Sequence, residues 1–138
     1  MSADPFAPVR QVQALARVAD TASAKILAFL LDNPQDPDSE LWRRAMRDLD
    51  AAAARLDGEA LRLMAQISDK ALKALTSATA EAERFTRETA EIKKGLKVFA
   101  AILGLAGALL AGAGAASVIS AAKAVRDAAK KDEDKKPK

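Results

Sequence analysis

Apolar residues recur every three or four positions along most of this chain, a spacing that is typical of amphipathic α-helices. No run of alternating β-branched and polar residues competes with that pattern, so the sequence predicts an all-α fold. The first helix is predicted over about 6–32 and ends before a connector that contains Pro34 and Pro37. Its apolar face comprises Val9, Val12, Leu15, Ala19, Ala22, Ile26, Phe29 and Leu30.

A second apolar seam begins at Trp42 and continues to Phe99 with an average spacing of about 3.56 residues. This value lies between that of a coiled coil and that of a straight helix. Residues 39–94 contain no proline, so we predict one long, coiled-coil-like helix there, with helix 6–32 folded back on its start. The large apolar residues of the seam are Trp42, Met46, Leu49, Leu56, Leu63, Ile67, Leu75, Phe85 and Ile92.

The predicted length of this helix bears on the shape of the head. An unbroken helix over 39–94 would extend about 84 Å, whereas a compact domain of this size has a radius of gyration of about 14 Å. The helix therefore bends or breaks, with Gly58 and the patch 76–79 as candidates, or the head is an elongated helical hairpin. The seam keeps its phase through Gly58, which favours the elongated hairpin.

Residues 98–122 contain no charged side chain and are bounded by Lys97 and Lys123. As one helix they would extend about 37 Å, enough to cross a hydrocarbon core of about 30 Å. We therefore predict a helix over about 96–129 that carries a transmembrane segment. The alternatives are burial in a soluble bundle and a hairpin that turns at 112–114. The downstream arm of such a hairpin meets Lys123 after eight residues, which is too short to cross. A hairpin could therefore lie shallow in a membrane or inside a protein core, and a segment that crosses would cross once.

Small residues recur at every fourth position of this segment, in the small-xxx-small or glycine-zipper pattern that lets membrane helices approach closely. We predict that this ridge forms a helix–helix interface between copies of the chain. It consists of Ala100, Gly104, Ala108, Gly112, Ala116 and Ser120.

The amino-acid composition excludes several kinds of catalytic and metal-binding chemistry. The chain has no histidine, cysteine or tyrosine, so it lacks the usual nucleophile systems, thiolate or imidazole metal ligands and disulfides. We expect no catalytic, cofactor-binding or metal site, and no enzyme activity. The net charge of +3 arises in residues 123–138, which hold seven basic and four acidic groups. The excess is not a basic face, so nucleic acid is not an expected partner.

The sequence thus divides into a helical head at 1–97, an apolar segment at 98–122 and a basic, largely disordered tail at 123–138. We expect a membrane-associated scaffold or adaptor that forms homo-oligomers through the coiled-coil seam and the small-residue ridge. Its head is expected in the cytoplasm, with the lipid bilayer or a helical protein as partner. No small-molecule substrate is expected. The alternatives are a pore-forming or holin-like protein and a soluble, cytoplasmic structural component of a larger assembly. The combination is typical of small bacterial membrane-associated proteins, and none of its motifs is specific to one family.

Overall fold

The computed structural model describes residues 5–89 and 91–134, and within them the all-α prediction is confirmed. The described residues form no strand. Their helices are α1 (Ala7–Asp32), α2 (Ser39–Met64), α3 (Asp69–Glu88), α4 (Leu96–Leu110) and α5 (Ala115–Asp134), and a 3₁₀ turn at Ile92–Gly95 leads directly into α4.

Helices α1 and α2 form an antiparallel hairpin around the proline-containing connector at 33–38. Near the connector, the ring of Phe29 meets the ring of Trp42 edge to face, with centroids 5.8 Å apart. One to two turns further along, the hydroxyl of Ser23 donates to the carbonyl of Met46 at 3.4 Å. The first helix therefore begins within one residue of its predicted start and packs along the second.

The prediction of one helix over 39–94 is wrong, because the chain breaks at 65–68. Ser68 has extended backbone angles, and its Oγ accepts a hydrogen bond from the amide of Ala71 at 3.2 Å. This is an N-cap, which satisfies one of the amides that a new helix leaves unpaired, and Asp69 adds a favourable negative charge to the first turn. Neither expected weak point breaks the chain: Gly58 lies within α2 and the patch 76–79 lies within α3.

The seam residues face the interior of a bundle in the single chain. Seven of the nine are buried, and Met46 and Ile67 are partly buried. They do not line one continuous contact, since α2 packs on α1 and α4 whereas α3 packs on α5 and α1. The coiled-coil interpretation of the seam is therefore replaced by core packing within a bundle.

The prediction of one helix over 96–129 is also wrong. The chain turns at 111–114, so that α5 returns along α4 and packs against both α4 and α3. Among the described residues, no helix combines the length and the apolar character that a membrane crossing requires. Helix α5 continues through most of the predicted disordered tail as far as Asp134, and residues 135–138 lie outside the described part of the chain.

Candidate functional site

The turn between α4 and α5 depends on one glycine. Gly112 has φ +71°, and among the described residues no other has a backbone in this left-handed region. The amide of Gly112 donates to the carbonyl of Leu109 at 3.1 Å, and the amide of Ala113 donates to that of Ala108 at 3.0 Å. This pair of bonds is a Schellman motif, which satisfies the last carbonyls of a helix and redirects the chain. Gly112 therefore converts the uncharged segment into a helical hairpin.

One face of α4 belongs to the core. Helix α4 contacts α1, α2 and α5. Its side chains Phe99, Ile102 and Leu105 are each 0% exposed. A methyl group added at Gly95 would lie 2.7 Å from Cζ of Phe99 and 3.3 Å from Cε1 of Phe85. The ring of Phe99 thus packs directly over the glycine that precedes α4, and the start of the hairpin is tightly enclosed.

The opposite face of α4 is open and uncharged. Four exposed residues with spacings of four, three and four lie along it, and we call them the α4 stripe: Ala100, Gly104, Gly107 and Ala111. A Cβ atom added at Gly104 or Gly107 would have no neighbour within 4 Å. The stripe therefore presents backbone and methyl groups to the outside of the described part of the molecule, and at Gly107 it borders a groove that Asp48 and Arg55 of α2 also line.

The predicted small-residue ridge is divided by the turn. Ala100 and Gly104 are exposed on α4, Ala108 is partly buried there, and Ala116 and Ser120 are exposed on α5. Gly112 serves the turn and not a helix face. The ridge is therefore not one continuous surface, although half of the α4 stripe belongs to it. Gly107 and Ala111 were missed, because only four-residue steps were followed and helical faces also repeat at three.

A charged contact fixes the entry to α4. Lys93 Nζ in the 3₁₀ turn lies 2.9 Å from Oδ2 of Asp36 in the connector, whose side chain is only 7% exposed. Asp36 Oδ1 also accepts the amide of Asp38 at 2.8 Å, and Lys93 lies 5.9 Å from the ring centroid of Phe29. The hydrogen bond with Lys93 and that with the Asp38 amide hold the pKa of Asp36 below its usual value. The same contact with Asp36 raises the pKa of Lys93.

These pKa directions predict how stability depends on pH. Because the pKa of Asp36 is lower in the folded chain, its contribution is present above the ordinary pKa of about 3.8 and is lost as pH falls through the lowered value. Asp36→Asn is therefore expected to lower the unfolding midpoint in urea at pH 7, and the difference from the wild type should shrink progressively as pH falls below about 3.8. The exposed neighbour Asp32, changed to Asn, is the control. A difference that does not shrink in acid, or an equal loss in the control, would contradict the contact.

The described residues contain no group of three acidic side chains arranged to hold a metal ion. No protein-family model, no curated protein and no solved structure matches this chain.

Proposed function

We propose that this protein is a non-enzymatic helical module that self-associates through the α4 stripe and acts as a scaffold or adaptor at a membrane surface. The observation that supports the proposal is the open, uncharged face of α4, at which Gly104 and Gly107 have free space above them. Two such faces can approach until their backbones touch, so that dispersion contacts and weak Cα–H···O bonds form between copies. Glycine and alanine lose almost no side-chain entropy when they are covered.

The seam has no part in this proposal. Its side chains are buried or partly buried in the core of one chain, so they are not available to a second copy without unfolding. The predicted coil contact between copies is therefore dropped, and the α4 stripe remains as the contact between copies.

Attraction between basic residues and anionic lipids supports the membrane part of the proposal. The uncharged segment 98–122 is bounded by Lys97 and Lys123, and residues 123–138 carry the net charge of +3. Basic residues near an anionic surface contribute about 1 kcal/mol each. The fifteen residues of α4 extend about 22 Å, less than a hydrocarbon core of about 30 Å. The proposal accordingly places the hairpin along the surface of the bilayer.

A double substitution tests the self-association. Gly104→Leu with Gly107→Leu adds bulk at two open positions, so the fold should tolerate it and the close approach of two copies should fail. We expect the wild type to form oligomers and the double variant to be monomeric, as measured by sedimentation equilibrium in buffer and in the presence of anionic vesicles. Co-flotation with the vesicles should persist, because leucine partitions into the interface better than glycine.

The matched control is Gly58→Leu, which lies in the middle of α2 and has no atom within 4 Å of an added Cβ. It should leave the oligomeric state unchanged. A wild-type chain that is monomeric both in buffer and on vesicles would refute the self-association. A wild-type chain that does not float with vesicles would refute the membrane part and favour a soluble structural component.

A pore-forming role is the second candidate, and the burial of α4 favours it. Phe99, Ile102 and Leu105 are fully covered by the rest of the bundle, so opening the bundle would release a strongly apolar surface. Release of a trapped dye from vesicles distinguishes the pore-forming role from the scaffold role. The scaffold proposal expects the vesicles to stay sealed, whereas leakage at protein concentrations that give co-flotation would favour the pore.

A further inference from the structure

A groove of about 350 Å³ lies between α1 and α3, on another part of the surface from the α4 stripe. Its basic side chains are Arg17 and Lys25 of α1 and Arg87 of α3, and its acidic side chain is Glu83. Three basic side chains and one acidic side chain thus line the groove, and Arg17 also lines a neighbouring groove together with Asp20, Asp50 and Asp57. The volume lies within the range of small-molecule sites, which begins near 300 Å³.

The two arginines of the groove have no ionic partner within the part of the chain that the structure describes. Elsewhere on the bundle, arginines pair with glutamates one turn away, as Arg43 does with Glu40 at 2.6 Å and Arg84 with Glu81 at 3.1 Å. Neither Arg17 nor Arg87 makes an ion pair with any residue that the structure describes. Their guanidinium donors are therefore free to bind an anion, with which arginine forms two parallel hydrogen bonds.

Lys25 holds the two walls of the groove together. Its ammonium donates to the carbonyl of Arg87 at 3.1 Å and to the carbonyl of Thr89 at 3.2 Å, at the C-terminal end of α3. A cation at this end of a helix is favoured by the unpaired carbonyls. Lys25 therefore serves mainly to fix the spacing of α1 and α3, and the arginines supply the recognition.

Two lining residues are almost wholly covered by the chain itself. Val18 is 2% exposed and Thr86 is 1% exposed. The hydroxyls of Thr21 and Thr86 donate to the carbonyls of Arg17 and Ala82 in their own helices, so they have no proton left for a ligand. The apolar floor of the groove is therefore formed by the aliphatic parts of its more exposed side chains, and two of these side chains end in guanidinium groups without an ion pair among the described residues.

We propose that this groove binds a small amphiphilic anion, in which a carboxylate or phosphate pairs with Arg17 and Arg87 and a short apolar chain lies against the aliphatic floor. The ligand class follows from the charge and the floor together: an inorganic anion would leave the floor wet, and a neutral chain would leave the arginines unpaired. This inference does not depend on the proposed function, because none of these residues belongs to the α4 stripe.

Titration of the full chain with octanoate, octyl phosphate and inorganic phosphate tests the proposal, by calorimetry or amide chemical shifts. We expect both octyl compounds to bind and to shift amides of α1 and α3. Inorganic phosphate alone should bind at least tenfold more weakly, since it lacks the apolar contact. Arg17→Gln with Arg87→Gln should weaken octanoate at least tenfold, since charged hydrogen bonds are lost.

Arg44→Gln with Arg126→Gln is the matched control, as both residues are exposed arginines outside the groove and the change removes the same charge. This pair should alter the affinity less than twofold. Equal weakening by both double variants would show nonspecific attraction and overturn the site. Equal affinity for inorganic phosphate and octyl phosphate would overturn the role of the floor. Absence of shifts in α1 and α3 at millimolar octanoate would overturn the proposal as a whole.

Discussion

Replacing Phe99 with alanine is expected to lower the free energy of unfolding by about 3–5 kcal/mol. The side chain is 0% exposed. Among the described residues it is the largest side chain that is fully buried. Its ring covers Gly95 and adjoins Phe85, so its removal leaves a cavity where the 3₁₀ turn, α3 and α4 meet. Small domains are stable by about 5–15 kcal/mol, so the loss is a large fraction of the total. Urea unfolding followed by circular dichroism measures it.

Leu61→Ala is the control for this prediction, because Leu61 is 66% exposed on α2. It is expected to change the free energy of unfolding by about 0.5 kcal/mol or less. Phe99→Leu should lower the free energy of unfolding by an amount between those of Leu61→Ala and Phe99→Ala, since leucine retains part of the buried volume. A cost below about 1 kcal/mol for Phe99→Ala would contradict the packing of α4 in the core.

The helix faces could be predicted from the sequence, but their partners could not. The spacing from Val9 to Leu30 identified α1, and the seam from Trp42 onward identified the buried faces of α2 and α3. Periodicity indicates only which side of a helix is apolar. It does not indicate whether a second copy or another helix of the same chain covers that side. The break at 65–68 escaped detection because the seam keeps its phase across it. A local signal for the start of a new helix was present, because Ser68 is a favourable N-cap residue and Asp69 places an acidic side chain in the first turn.

The course of the uncharged segment was decided by tertiary packing. Lys123 argued only against a hairpin that crosses a membrane twice, and a hairpin inside a protein core stayed open as an alternative. In the structure the second arm packs on α3 and α4, and it stays amphipathic beyond Lys123 through the buried Val125 and Ala129. A charged residue on its outer face therefore does not end the arm. Gly112 was identified in the sequence as a possible turn, and its positive φ explains why the chain reverses there.

The contacts between distant charged groups had no sequence signal at all. Asp36 with Lys93, and Lys25 with the carbonyls of Arg87 and Thr89, join residues that are more than fifty positions apart. Helical spacing rules detect pairs three or four residues apart, so they find the surface pairs within one helix and miss those between elements. The groove between α1 and α3 was missed for the same reason, since its arginines come from two helices.

Gly95, which precedes α4, is the glycine at which an added Cβ would meet the closest atoms of the described residues. Gly95 is buried, and its φ of −84° is accessible to any residue, so a substitution there acts through the added Cβ and not through the backbone. That Cβ would lie 2.7 Å from Cζ and 2.8 Å from Cε2 of Phe99. Phe99 is 0% exposed and Phe85 is 4% exposed, so neither ring can move aside into solvent. The added methyl group must displace packed core atoms.

Gly95→Ala is therefore expected to destabilise the chain by about 1–3 kcal/mol, the usual cost of overpacking. Gly58→Ala, at an open position within α2, should instead stabilise it by about 0.5–1 kcal/mol, because alanine favours the helix. The same substitution is thus expected to lower the free energy of unfolding at Gly95 and to raise it at Gly58. Thermal or urea unfolding measures both changes. Combining Gly95→Ala with Phe99→Leu should cost less than the sum of the single variants, since leucine removes the ring edge that the methyl group strikes. Strict additivity, or a stabilising Gly95→Ala, would show that Phe99 does not cover Gly95.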